Sequence, residues 1–218
     1  MTIVPISRQD GRVNQKERTR AALVDAATAL FREGASPTVA EAAEKAKVSR
    51  ATAYRYFPTQ ESLLLEVAAV SPVVTPVEKT IAELSGDDVE ARLMRVFDSF
   101  TPIVLEQEAP LRAALGVYLD TWLEARRDGK EAPKVREGRR MRWLDATLAP
   151  ARGQLTKRQW ERLRAALALT LGIDAVVVMK DVCHLDDAET EETLRWTASA
   201  LLRAALEEAA TTPSRKKR

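Results

Sequence analysis

Apolar residues recur every three or four positions through most of this chain, and this spacing constrains the fold more than any other feature. The first set is Leu23, Ala26, Ala27, Leu30 and Phe31, which would form one stripe along a helix. Good helix formers such as alanine, leucine, arginine and glutamate are abundant, whereas aromatic residues make up only 5%. The sequence therefore predicts an all-α fold.

The charges of the chain nearly cancel, so a contact with DNA would have to be local. Lys and Arg total 34 against 32 Asp and Glu, which gives a net charge of +2. Cys183 and His184 are the only cysteine and the only histidine, which excludes an internal disulfide and an ordinary zinc cluster. We expect a reducing, cytoplasmic location, with no cofactor and no metal.

Membrane and catalytic signatures are both missing from the sequence. No stretch reaches the ~18 consecutive apolar residues of a membrane helix, and no signal peptide is predicted. A Gly-rich phosphate loop, an H-E-x-x-H motif and a Ser elbow are absent. Cys183 and His184 would point about a quarter-turn apart on a helix, which does not pair a nucleophile with a base. We therefore expect no membrane partner, no catalytic residues and no enzyme.

One segment has the pattern of two short helices joined by a tight turn. Thr38 and Glu41 would form a capping box for a helix at 39–45. Ser49 would cap a second helix at 50–56. A small residue where the helices touch and a polar second helix that enters the major groove are the requirements of a helix-turn-helix.

The same segment has the steric and electrostatic features of a DNA-binding unit. Ala43 is the small contact residue, and Val48 is the buried residue after the turn. No acidic residue lies between Glu44 and Glu61, a local bias that suits phosphate binding. Spacing alone leaves open a helical hairpin whose basic face is merely solvated. The outer face and the basic residues are Arg50, Thr52, Arg55, Lys45 and Lys47.

The run AEKAKVSRATAYRYFPTQESLL resembles the DNA-binding region of TetR-family regulators, and RTRAALVDAATALFREG resembles the first helix of that family. The resemblance covers about residues 16 to 68. It implies a sequence-specific transcriptional regulator, most simply a repressor that is released from its operator by a small-molecule ligand. It also implies a homodimer on palindromic double-stranded DNA. The alternatives are a helical partner-binding module or a small helical enzyme without DNA function.

The apolar pattern and the resemblance together predict four segments of the chain. They are a flexible arm at 1–14, a three-helix helix-turn-helix DNA-binding domain at 15–62, a helical ligand-binding and dimerisation domain at 63–210, and a basic tail at 211–218. Arg8 and Arg12 of the arm either stay in solvent or contact a phosphate or the minor groove when DNA is present. Asn14 is expected to cap the first helix and Gly34 to end it.

The resemblance also implies which residues contact DNA. Thr38 and Tyr54 would bond to phosphates, although the ring of Tyr54 could instead be buried with its hydroxyl at the surface. The residues facing base edges would be Arg50, Ala51 and Thr52, with Arg55 and Tyr56 at the groove or the backbone. The full set of expected DNA-binding residues is Thr38, Lys47, Ser49, Arg50, Ala51, Thr52, Tyr54, Arg55, Tyr56 and Gln60.

Two positions depart from the family pattern. Lys47 stands where the family usually has Gly in the turn, and a positive φ there would cost on the order of 1 kcal/mol. Gln60 stands where the family often has Lys before the Glu that opens the fourth helix. This change removes one charge-assisted phosphate bond but leaves the helix N-terminus to attract phosphate.

Two long helices are expected at the end of the body. Thr156 would cap one that runs to about Val182, and Asp186 would cap another that runs to about Ala210. The first contains an apolar run at 165–179, which must be covered on more than one side. This run favours a homodimer, and one thick intramolecular core is the alternative. The predicted interface residues are Leu171, Ala175, Val178, Leu194, Ala198, Leu201, Leu202 and Ala205.

The rest of the body is less informative. The segment SPVVTPVEKT fits a loop or a helix start, and Pro102 should kink or restart a helix opened by Asp87 or Asp88. Aromatic side chains at helical spacing either line a cavity for a small apolar or amphipathic ligand or belong to the core. The candidate lining residues are Phe97, Phe100, Tyr118, Trp122, Trp143 and Met179.

Overall fold

The computed structural model describes residues 8–69, 74–131 and 138–211, and all regular structure within these ranges is helical. This confirms the all-α prediction. The α-helices are α1 (Arg8–Arg32), α2 (Val39–Lys45), α3 (Arg50–Tyr56), α4 (Gln60–Ala69), α5 (Val74–Ala82), α6 (Val89–Glu106), α7 (Glu108–Arg127), α8 (Arg139–Thr147), α9 (Lys157–Ala168), α10 (Ile173–Val177) and α11 (Asp187–Thr211). A 3₁₀ helix (Ala149–Gln154) precedes α9, and a π-helical turn (Val178–Val182) follows α10.

The chain forms two compact units, and each contains helices from separate parts of the sequence. The first unit consists of residues 1–71 and 109–131, and the second consists of residues 72–108 and 132–218. The first unit therefore contains α1 to α4 together with nearly all of α7. The four segment boundaries expected from the sequence remain a prediction.

The core of the first unit forms where α1 packs against α2 and α4, and where α2 packs against α3. The predicted stripe on α1 supplies part of this core, and Val117 of α7 joins it. Ala43 and Ala53 have no exposed surface, so the backbones of α2 and α3 approach closely. The buried residues are Leu23, Val24, Ala27, Phe31, Val39, Ala42, Ala43, Ala53, Phe57, Leu63, Leu64, Val67 and Val117.

The turn between α2 and α3 forces Lys47 into the left-handed region. The Val48 N–H donates to the Ala43 carbonyl at 2.9 Å, and the Lys47 N–H donates to the Glu44 carbonyl at 3.1 Å. These two bonds form a Schellman motif, whose C′ residue usually is glycine. Lys47 has φ 56°, so the departure from the family pattern places a β-carbon where it is strained. Val48 is half-buried and packs against the core.

Helix α1 begins earlier than predicted. It starts at Arg8 and passes through Asn14, so Asn14 is not its N-cap and residues 8–14 of the predicted arm are helical. Residues 1–7 lie outside the described part of the chain. Arginine and glutamine are good helix formers, so a helix already nucleated by packing downstream propagates back through this segment. Gly34 ends α1 with φ 83°, as predicted.

The second unit contains α5, α6 and α8 to α11, with α11 packed against α6 and α9. Asp88 caps α6 and accepts from the Ala91 N–H at 3.0 Å, and α6 continues through Pro102 instead of restarting there. The ambiguous segment SPVVTPVEKT is helical from Val74, and its first three residues lie outside the described ranges. Asp186 caps α11 as predicted, because its carboxylate accepts from the Glu189 N–H at 2.9 Å.

The predicted continuous helix from Thr156 to Val182 is wrong. Thr156 does cap α9, but this helix ends at Ala168, and Gly172 follows with φ 101° and ψ −175°. Only glycine adopts that conformation readily, so the helix cannot continue through it. The Arg140 guanidinium stabilises the break by donating to the carbonyls of Ala168 and Leu171. It also pairs with Asp174 at 3.0 Å.

We predict that Lys47→Gly stabilises the first unit. The substitution removes left-handed strain of about 1–2 kcal/mol. Glycine also makes the unfolded chain more flexible, which offsets about 0.5–1 kcal/mol of this gain. The free energy of unfolding should therefore rise by roughly 0.5–1 kcal/mol in urea denaturation. Lys47→Ala removes the same charge but keeps the β-carbon, so it should give no such gain. Equal stabilities of the two variants would contradict strain at this turn.

Candidate nucleic-acid interface

Helix α3 packs against the domain through buried Ala53 and half-buried Tyr56, and it presents its other side outward. Ala53 is its only buried residue. Ser49 caps the helix and accepts from the Thr52 N–H at 3.2 Å, while its hydroxyl donates to Thr52 Oγ1 at 2.8 Å. This donation occupies Thr52 Oγ1 as an acceptor and leaves the Thr52 hydroxyl proton available for an acceptor in solvent or on DNA.

The predicted DNA-binding residues all lie in the first unit, and all are accessible. Tyr54 is 47% exposed, so the alternative of a buried ring is wrong, whereas Phe57 is buried at 2% exposure. The exposed residues of the set are Thr38, Lys47, Ser49, Arg50, Ala51, Tyr54 and Arg55, and the half-buried ones are Thr52, Tyr56 and Gln60. The structure thus brings these residues to accessible positions on α2, α3, the turn between them and the start of α4.

The positive charge of this surface is concentrated on and beside α3. Lys45 pairs with Glu33 at 2.6 Å, so its charge is largely compensated. Within the described ranges, Lys47, Arg50 and Arg55 have no carboxylate partner. The Arg55 guanidinium lies 5.8 Å from the centre of the Tyr56 ring, which is a cation–π contact. Three cations without a carboxylate partner in the described ranges therefore lie on α3 and the turn before it, as does exposed Tyr54.

Thr38 is engaged in a capping box, which changes what it can offer a phosphate. Its hydroxyl donates to Glu41 Oε2 at 2.8 Å and accepts from the Glu41 N–H at 3.2 Å. The Thr38 backbone N–H donates to the same carboxylate at 2.8 Å. These bonds from Thr38 lower the pKa of Glu41, so the carboxylate is ionised at neutral pH. A phosphate could receive the single hydroxyl proton of Thr38 only by displacing Glu41.

The start of α4 has a similar arrangement beside Gln60. The Ser62 N–H donates to Thr59 Oγ1 at 3.2 Å, and the Thr59 N–H donates to Ser62 Oγ at 3.3 Å. The backbone N–H of Glu61 and the Thr59 hydroxyl lower the pKa of the Glu61 carboxyl. This carboxylate therefore stays charged close to Gln60, which makes the site less attractive to phosphate than a lysine at that position would.

Most of the predicted dimer-interface residues lie inside a single chain. Helices α6 and α9 pack against α11, and its side chains Leu194, Ala198, Leu202 and Ala205 have almost no surface left for a partner. The buried ones are Leu171, Ala175, Leu194, Ala198, Leu202 and Ala205. Val178 is 46% exposed and Leu201 is half-buried. Trp196, which was not among the predicted interface residues, is 67% exposed on α11.

The candidate ligand-lining residues are divided between the two units. Phe97, Phe100 and Trp143 are buried in the second unit, where the rings of Phe100 and Trp143 meet edge to face at 5.8 Å. Met179 is half-buried in the same unit. Tyr118 and Trp122 belong to the first unit, and Trp122 is 52% exposed.

Metal ligation and membrane insertion can also be assessed for the part of the chain that the structure describes. That part contains no group of three or more His, Cys, Asp or Glu residues placed to hold a metal ion. Each helix within 8–69, 74–131 and 138–211 is too short or too polar to span a bilayer.

Comparison with known proteins identifies the domain that carries this surface. Residues 23–67 match the family model of bacterial regulatory proteins, tetR family. No curated protein and no solved structure matches the chain. The matched range runs from the buried half of α1 to α4 and includes the capping box, the turn at Lys47 and the exposed face of α3. Residues 23–67 are therefore similar to the DNA-binding domain of tetR-family regulators, and this domain supports a DNA-binding transcription regulator.

Proposed function

We propose that this regulator is a homodimeric repressor that binds a palindromic operator through α3 and leaves it when a small apolar or amphipathic ligand binds. One observation carries the DNA-binding part of the proposal. Helix α3 buries only Ala53 and presents Arg50, Tyr54 and Arg55 without a carboxylate partner in the described ranges. A short cationic helix with one buried side fits the major groove.

The proposed division of labour on α3 follows from side-chain chemistry. Arg50 begins the helix and has the bidentate donors suited to guanine O6 and N7. Thr52 retains a hydroxyl proton for a base edge, and exposed Ala51 allows close approach. Tyr54 and Arg55 contribute contacts to phosphates, which position the helix without reading the sequence.

The dimer would form through the outer face of α11, because the inner face is occupied within the chain. Trp196, Ala200 and Ala204 lie at four-residue spacing on this outer face, where Trp196 and Ala204 are exposed and Ala200 is half-buried. A large aromatic beside small residues permits close helix packing and supplies an anchor. Two copies related by a twofold axis would present two α3 helices to the two halves of a palindrome.

Release by a ligand requires that the ligand distinguish two shapes of the protein. A ligand with equal affinity for the DNA-competent and the released shapes would shift nothing. Phe97, Phe100 and Trp143 form an aromatic group inside the second unit, which supports binding of an apolar or amphipathic molecule there. The proposed inducer would favour a form in which the two α3 helices no longer match successive major grooves.

Arg50→Ala and Tyr54→Ala should each weaken operator binding by about 1–3 kcal/mol, and together they should remove it. Both side chains are exposed, so the fold and the oligomeric state should be unchanged. Tyr54→Phe tests the hydroxyl alone and should lose about 1.5–3 kcal/mol, the value of a hydrogen bond to a charged group. The measurement is fluorescence anisotropy with a duplex selected by the full-length protein from a random pool.

Arg95→Ala is the matched control, because Arg95 is an exposed arginine of the second unit. It should bind the selected duplex like the unchanged protein. If the Arg50→Ala, Tyr54→Ala double variant binds that duplex with unchanged affinity, α3 does not contact the DNA.

Trp196→Glu should convert the dimer into a monomer, because a charge would be buried without a partner in the interface. Trp122→Glu is the control, since Trp122 is comparably exposed but lies on α7 of the first unit. Sedimentation velocity should show a dimer for the control and a monomer for Trp196→Glu. A dimer that survives Trp196→Glu would remove α11 from the proposed interface.

A further inference from the structure

Helix α7 has an apolar side that no other part of the described chain covers. Leu119, Trp122 and Leu123 are each more than half exposed. Their positions have the three- and four-residue spacing of neighbours on one helix face. The guanidinium of Arg126, one turn further along, lies 5.7 Å from the centre of the Trp122 ring. We call Leu119, Trp122 and Leu123 the α7 stripe.

The α7 stripe is separate from the side of α7 that packs within the first unit. Ala114 and Val117 are buried, and Val117 belongs to the core that also contains Ala53 of α3. At about 100° per residue, Leu119 lies about 160° around the helix from Val117, and Leu123 lies about 180° from Ala114. Contiguous exposed apolar side chains of this kind mark a contact with another molecule.

One flank of the α7 stripe carries charges of both signs. Asp120 and Arg127 are seven residues apart, which places them on the same flank at a distance of about 10 Å along the axis. Both side chains are exposed, and neither has an ion-pair partner in the described ranges. Helix neighbours that pair with each other are three or four residues apart, so these two are too far apart to pair within one helix.

The symmetry of two dimers on adjacent operators determines which surfaces would meet. Two identical palindromes are related by a twofold axis midway between them, so the facing subunits must meet through one self-complementary patch. A twofold axis that crosses two helices pairs them antiparallel and brings like flanks together. A pair of α7 helices centred at Leu123 then places Arg127 of each copy within one residue of Asp120 of the other. The charges of this flank therefore complement a second copy of the same flank.

We propose that the α7 stripe is a self-association surface through which dimers bound at adjacent operators contact each other. This inference rests on the proposed function, since α3 must first place each dimer on DNA. The occupant of the stripe is the α7 stripe of a neighbouring dimer. Three half-exposed side chains offer much less surface than the roughly 800 Å² per partner of a stable interface. The free protein therefore stays a dimer, and the contact forms where DNA raises the effective concentration of a second dimer.

The test measures how cooperatively the full-length protein binds a duplex with two copies of its selected operator. The centre-to-centre distance is varied in whole helical turns of about 10.5 base pairs, so that both dimers lie on one side of the DNA. The α7 variant is Leu119→Gln, Leu123→Gln, since glutamine keeps the helix propensity of leucine. Its control is Leu169→Gln, Val182→Gln, which replaces two exposed apolar residues of the second unit. Affinity for a single operator, which both variants should retain, verifies that the first unit is folded.

The unchanged protein and the control should bind the second operator about tenfold more tightly than a single one at one or more distances. The α7 variant should bind the two operators independently. Cooperativity that persists in the α7 variant, or independent binding by the unchanged protein at every distance, would overturn the α7 contact and leave the proposed function intact. If the unchanged protein binds no duplex, the proposed function itself fails.

A charge swap tests whether the occupant is a second copy of the chain. Arg127→Asp alone and Asp120→Arg alone each place like charges together across the twofold axis, so each should reduce the cooperativity by about two- to fivefold. The two changes in one chain restore opposite charges and should recover the cooperativity of the unchanged protein. A combined variant that loses as much as the two single variants together would overturn the antiparallel pairing, because a different partner protein would not carry the compensating change.

Discussion

The contact between α2 and α3 is the interaction on which the proposed function depends. Ala43 and Ala53 have no exposed surface, and no larger side chain would allow the two helices to approach so closely. The Schellman turn at Lys47 then sets the direction in which α3 leaves α2. Because α3 packs through buried Ala53 and half-buried Tyr56 on one side, the opposite side, which carries Arg50, Ala51, Tyr54 and Arg55, is free for a ligand as large as DNA.

The placement of charge explains how a nearly neutral chain can bind a polyanion. Lys45 and Arg20 are compensated by Glu33 and Glu66, so these pairs contribute little to the field around the domain. Lys47, Arg50 and Arg55 have no such partner in the described ranges, and their field is therefore available to phosphates. The ionised carboxylate of Glu41, beside Thr38, limits how closely a phosphate can approach the start of α2.

Features that depend on a few neighbouring residues were predictable from the sequence. The capping box at Thr38, the cap at Ser49 and the end of α1 at Gly34 are local signals, and the structure confirms them. The break at Gly172 was not predicted, because a glycine within an apolar run is compatible with a helix. The break is also stabilised by Arg140 of a different helix, whose guanidinium donates to the Ala168 and Leu171 carbonyls. Such a contact between distant residues leaves no periodic trace in the sequence.

The apolar stripe that the sequence shows on α11 is present in the structure, but its side chains are buried within the chain and have little surface left for a partner. The stripe through Leu194, Ala198 and Leu202 is fully used in packing against α6 and α9 of the same chain. A helix that was apolar on this side alone would need no partner. Exposed Trp196 lies on the other side of α11, where burial within the chain does not account for it. A helix with one buried apolar side and a second, exposed one has the geometry of an element shared between a core and an interface, so the proposed dimer contact lies on Trp196.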